Sequence, residues 1–199
     1  MNNKLKIWEL SLLIALCVSL LAGTWAQAQQ NEISSGLVRL HVIADSDDKA
    51  EQELKLRVRD EVLDYLEPLL RDAGSPEAAQ SIITAHLDGI TLAAQSVSEG
   101  RKVQVKLGEE YYPTRDYGDF SLPAGRYTSL RVILGSGNGH NWWCVVFPPL
   151  CVSAAERTAA LDTMSDNVRG IIDGSSDSPA IRFRILELWG EFLEIIGAG

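Results

Sequence analysis

Three cysteines, three histidines and two methionines in 199 residues restrict the chemistry open to this chain. Three cysteines are too few for a disulfide scaffold, and their spacing matches no zinc finger. The histidines, at 41, 86 and 140, show no metal-ligand spacing. Positive charge is also scarce. Eighteen Lys and Arg face 27 Asp and Glu, for a net charge of −9. Such a chain has no electrostatic footprint for nucleic acid, and it lacks the polybasic patch that holds a protein to an anionic membrane. What it does have is 46% hydrophobic and 23% charged residues. That composition can bury a core, excludes wholesale disorder, and fits one domain of ordinary size.

The N-terminus reads as a targeting segment rather than part of the fold. Lys4 and Lys6 precede a 13-residue apolar run, Leu10 to Ala22, broken only by Ser11 and Ser19. Ala26-Gln27-Ala28 then supplies small residues at the two positions a signal peptidase reads, so cleavage is expected after Ala28. The run is shorter than the roughly 20 residues of a spanning helix. The alternative is an uncleaved anchor lengthened by Ile7, Trp8 and Trp25. Cys17 follows Leu16, where lipidation would need a small residue. Loss of residues 1–28 leaves Cys144 and Cys151 as an even pair in a compartment that permits disulfides.

Beyond a flexible leader at 29–36, the exported part (37–196) reads as a single α+β domain. Leu37 to Ala44 is β-branched and apolar, a strand buried on both faces. Leu54, Val58, Val62, Leu66 and Leu69 line one face of a first helix. Ile83, Leu87, Ile90, Ala94 and Val97 line a second, bounded by Gly74-Ser75-Pro76 and Gly100. Strands follow at 103–107, around 111–120, at 126–134 and at 142–147. They predict a largely antiparallel meander with the two helices packed on it. A variable linker region at 153–180 precedes a C-terminal strand and helix.

Several constellations invite chemistry. Asp45, Asp47 and Asp48 resemble the start of a calcium loop, but Ala50 and Leu56 stand where an EF-hand needs Gly and Glu. Helix capping is the simpler reading, with Asp48 and Glu51 at capping-box spacing. The Gly135–Gly139 loop precedes a strand, whereas phosphate loops sit at helix N-termini; it reads as a wide hairpin loop. Cys144 and Cys151 flank a proline-bearing reversal, which favours a disulfide over buried thiols or a catalytic cysteine. Trp142 and Trp143 fall on opposite faces of their strand, one in the core and one available as an interface anchor. No catalytic set and no cofactor or metal site is read from the sequence. The candidate partner surface comprises Gly137 and Gly139, Asn141, one of Trp142 and Trp143, and the Arg115-Asp116-Tyr117-Gly118 segment. The strand end carrying His41, Asp45 and Asp47 is the second choice.

Five blocks together resemble a known family: Leu40-His41-Val42-Ile43-Ala44-Asp45-Ser46-Asp47; Lys55-Leu56-Arg57-Val58-Arg59-Asp60; Tyr112-Pro113-Thr114-Arg115-Asp116-Tyr117-Gly118; Pro123-Ala124-Gly125-Arg126-Tyr127; and Gly139-His140-Asn141-Trp142-Trp143-Cys144-Val145-Val146-Phe147-Pro148-Pro149-Leu150-Cys151. They are similar to the stage II sporulation protein R family of endospore-forming bacteria. The family usually has Asn where this chain has Asp45, and commonly Phe where it has Tyr112. The resemblance implies a secreted signal rather than an enzyme. Members are made in the forespore and exported into the space between the forespore and mother-cell membranes. There they trigger a membrane-embedded aspartic protease of the mother-cell membrane, which processes the precursor of sigma-E. The competing reading is an extracytoplasmic, cell-wall hydrolase that uses His41, Asp45 or Cys144.

Overall fold

The computed structural model describes residues 2–117 and 121–151. Gly118, the region at 153–180 and the strand and helix expected at 181–196 lie outside them. Helix α1 (Asn2–Ser35) is an unbroken rod about 50 Å long. Its apolar part turns Ile7, Trp8, Leu10, Leu13, Leu21 and Trp25 outward, each more than half exposed. Lys6–Ser35 is long and apolar enough to cross a membrane, a test that N-terminal signal sequences also pass. Residues 29–35, expected as flexible leader, are instead the last two turns of this helix. The reason is tertiary packing. Ile33 and Leu37 are apolar residues four apart in a polar stretch, and both are buried with Tyr112, Leu122, Tyr127, Val145 and Leu150.

Strand β1 (Val38–Ile43) leads through a short loop to α2 (Lys49–Leu70), α3 (Pro76–Ala85) and α4 (Leu87–Ser96). The helix expected from 76 onward is thus two helices. His86 leaves helical geometry between them, and its Nδ1 shares a hydrogen bond of 3.0 Å with the Tyr65 hydroxyl of α2. Ser75 caps α3 by accepting from the Ala78 amide at 3.2 Å, ahead of Pro76 in the first turn. Asp48 stands at the N-cap of α2 without a side-chain cap bond, and Glu51 pairs with Arg101 at 2.5 Å. The capping box read from the sequence does not form.

The remaining strands are β2 (Val103–Tyr112), β3 (Arg115–Asp116), β4 (Ser121–Leu122), β5 (Gly125–Leu134) and β6 (Asn141–Phe147). The main sheet has the order β2-β5-β1-β6, and β3 and β4 form a separate ribbon. The predicted meander is therefore corrected. β2 and β5 pair antiparallel, but β1 separates β5 from β6, running parallel to one and antiparallel to the other. β1 is buried nearly throughout, and such a strand is most stable with a neighbour on each edge and a layer on each face. One face is aliphatic. Val38, Leu40 and Val42 pack with Leu130, Val132 and Leu134 beneath Leu54, Val58, Val62 and Leu66 of α2, Ile83 of α3, and Ile90 and Ala94 of α4. Each such Val, Leu or Ile side chain contributes about 1.5–3 kcal/mol on burial. The other face carries Arg39 and His41. The whole is an α+β architecture.

Candidate partner-binding site

The residues proposed from the sequence separate into two groups. Asp45, Asp47 and Gly139 form a brace at the C-terminal end of β1. Asp45 Oδ1 accepts from the Ser136 amide at 2.6 Å and the Ser136 hydroxyl at 2.7 Å. These bonds hold its carboxyl below the usual carboxylate range. Asp47 accepts from the His140 amide at 2.6 Å and also meets the His140 ring. The Gly139 amide donates to the Ala44 carbonyl at 2.9 Å. A Cβ on Gly139 would lie 2.3 Å from the Ser46 carbonyl oxygen. Lys55, nearly buried on α2, closes the brace by donating to the His140 carbonyl at 2.8 Å. Burial pushes its ammonium below the ordinary lysine range. Asp45 and Asp47 thus fasten the 135–139 crossover to β1 instead of capping α2. The loop is a tied crossover rather than a hairpin turn.

The second group lies on the non-aliphatic face. Strand register places Trp143, His41, Arg131 and Lys106 in one row across β6, β1, β5 and β2. His41, 5% exposed, has Nδ1 at 3.0 Å from both oxygens of Glu110. Glu110 also accepts from the Ser129 hydroxyl at 2.9 Å and lies 3.8 Å from Arg131. Burial, the largest influence on Glu110, raises its carboxyl. The hydrogen bond and charge of His41, with Ser129 and Arg131, outweigh it and keep the group below the usual range. Trp143 is half-buried, its ring 5.4 Å from that of His41, and the Arg115 guanidinium stacks on it at 3.8 Å. Arg39, fully buried, sits 3.9 Å above the Tyr112 ring and 4.9 Å from Tyr127, and donates to the Tyr117 hydroxyl. Burial raises the phenols of Tyr112, Tyr117 and Tyr127.

The next row outward is Asn141, Ile43, Ile133 and Gln104, none of them fully buried. Gly137 rests over it: with φ at +68°, it would bring a Cβ within 2.7 Å of Ile133. This face therefore gathers Arg115, Tyr117, Trp143, Asn141, Gly137 and His41. Trp142 is the exception. It packs on the aliphatic face with Arg59 of α2 at 4.8 Å from its ring. Cys144 and Cys151 are joined as a disulfide with Cα atoms 5.9 Å apart.

Ser129, His41 and Glu110 contain the groups of a serine hydrolase in the wrong connection. The carboxylate binds both partners, so the hydroxyl is not joined to the imidazole that would have to deprotonate it. Ser129 is also fully buried, hydrogen-bonded to the Tyr112 hydroxyl at 2.6 Å. Among the described residues, no three His, Cys, Asp or Glu side chains cluster as metal ligands.

The profile of the family described as Stage II sporulation protein R matches residues 34–157. The Stage II sporulation protein R of Bacillus subtilis (strain 168) is 34% identical over 152 residues, covering 73% of this chain and 68% of that protein. The chain belongs to the stage II sporulation protein R family. No solved structure matches it. The family match begins at the last turn of α1 and takes in every strand of both sheets. The exposed apolar part of α1 precedes it.

Within this stage II sporulation protein R fold, the sequence reading misses Arg39, Glu110, Ser129 and Arg131. One signal was present: Arg39 and His41 alternate with Val38, Leu40 and Val42, so two polar side chains share one face of a buried strand. Their partners on β2 and β5 depend on a strand order that local pattern does not reveal.

Proposed function

We propose that the protein is a secreted intercellular signal of endospore formation. It is exported from the forespore into the intermembrane space and activates a membrane-embedded aspartic protease, which processes the precursor of sigma-E. Membership in the stage II sporulation protein R family carries this reading. The exposed apolar α1 supports export, either as a cleaved signal or as a retained anchor. The contact surface is the face bearing Trp143 and Arg115, where a half-exposed aromatic and a stacked guanidinium provide an interface anchor. The test is reconstitution of the purified chain in liposomes with the protease and the sigma-E precursor. Cleavage of the precursor only when the chain is present is the expected result; cleavage indifferent to its presence refutes the reading.

The cell-wall hydrolase alternative draws on the His41, Glu110 and Ser129 cluster. Under that reading His41→Ala or Ser129→Ala removes about 10³-fold or more of a wall-degrading activity with the fold intact. Under the signalling reading the chain degrades no wall material to begin with.

A further inference from the structure

Six buried side-chain nitrogen or oxygen atoms of the described residues lack a hydrogen-bond partner, and five belong to one face of the sheet. These five are Arg39 Nε and Nη1, His41 Nε2, Arg115 Nε and Arg131 Nε. All are nitrogens on cationic or imidazole side chains; His41 and Arg131 belong to the Trp143–His41–Arg131–Lys106 row, and Arg39 and Arg115 flank it. Glu110, the carboxylate at the centre of this face, is already engaged by His41, Ser129 and Arg131. A buried polar atom without a partner is costly, and natural folds keep few of them; Arg39 and His41 are sealed from solvent, whereas Arg115 and Arg131 are part-exposed and within reach of a partner. Here they gather on one face of a chain of net charge −9. Toward the open end lie Lys106, exposed, and then Ile43 and Ile133, partly exposed.

We propose that this half-open face is a docking surface for an extended, acidic peptide segment of a partner protein. Carboxylates of the segment would meet Arg115, Arg131 and Lys106, and its apolar side chains would meet Trp143, Ile43 and Ile133. Charge complementarity selects this occupant: guanidinium groups bind carboxylates in a planar, paired geometry, and the apolar row beside them supplies contact area. The inference rests on the signalling function and adds the chemistry of what the signal recognises.

The test uses the full chain in uncharged detergent micelles and a fluorescent peptide of alternating Glu and Leu, with a Gln and Leu peptide as control. The Glu peptide should bind at least tenfold more tightly than the control, and added salt should weaken it. Arg131→Gln should lose about tenfold of that binding with at most a small fall in melting temperature. Should Arg131→Gln fail to fold, Lys106→Glu, a change at an exposed site, should weaken binding likewise. Equal binding of both peptides, or binding unaffected by both substitutions, overturns the proposal. So does a short-chain phosphatidylglycerol that binds the face when the peptide does not, since the surface would then read lipid. Precursor processing, followed in the same variants, separates the two claims. If peptide binding is intact but the unaltered chain triggers no processing, the signalling function alone fails. If Arg131→Gln and Lys106→Glu weaken peptide binding yet leave processing unchanged, the signal acts through another surface and this face is not its docking site.

Discussion

Glu110 shows how a single side chain can hold a buried cationic face together. Its folded-state carboxyl titrates below the ordinary 4.5, so between those two values the unfolded chain binds more protons than the native one. The stabilisation from its charge is full above pH 4.5 and is lost as pH falls through the lower native value. Glu110→Gln should therefore cost about 1–3 kcal/mol near pH 6, with the gap to the parent closing on acidification. Urea midpoints at pH 6 and pH 3.5 measure this, and a gap independent of pH would show that the charge is not involved. Two glycines offer a sharper contrast. Gly139→Ala forces a methyl group against the Ser46 carbonyl and should cost about 1–3 kcal/mol. Gly108→Ala meets nothing within 4 Å and should be neutral or slightly stabilising. The identities of the individual site residues were half legible. His41, Arg115 and Trp143 stand out by type, whereas Glu110 and Ser129 look like ordinary strand residues until β2 and β5 are placed beside β1.

At the scale of elements, the helical stripe of α2 from Leu54 to Leu66, though ending on Leu70 rather than the expected Leu69, and the limits of β5 and β6 could be read directly, because a period of 3.6 or 2 leaves its mark on any amphipathic segment. Strand order could not. A parallel neighbour for β1 is recruited from about 90 residues away, and no local pattern encodes that. The same limit explains the leader: two apolar residues at 33 and 37 are too few to announce a buried turn. Ile33→Ala should lower stability by about 2–4 kcal/mol, read by chemical denaturation. A flexible leader would show no change. Export with cleavage predicts a mature N-terminus at Gln29 by sequencing, with Ile33 retained in the domain; finding only full-length chain in the membrane fraction would assign α1 as an anchor. For the turn after β6, intact-mass analysis of the native chain should show two hydrogens fewer than the reduced form. Breaking the Cys144–Cys151 bond should cost about 2–3 kcal/mol at most.

For the whole molecule, the two faces of the sheet divide the labour. Among the described residues, helices seal the aliphatic face, while the end of α1 and the β3–β4 ribbon cover only part of the other. This asymmetry forecasts the behaviour of the adjacent tryptophans. Trp142→Ala removes a side chain packed on the main core and should lower stability and precursor processing together, by about 3 kcal/mol or more in stability. Trp143→Ala and Arg115→Ala should reduce processing with a smaller change in melting temperature. If processing tracks melting temperature in all three variants, the face is only core.

Under the proposed export, the central position of β1 also bears on how the chain would be delivered. A polypeptide threaded N-terminus first through a narrow channel presents β1 long before either of its neighbours arrives. Val38 pairs with Thr128 on one side and Phe147 on the other. Until those segments emerge, the strand next to the targeting helix has no edge to join and the sheet cannot close. Contacts of such long sequence separation form slowly, so under the proposed export the chain would stay pliable throughout its passage and become a signal only once nearly all of the described domain had reached the far side.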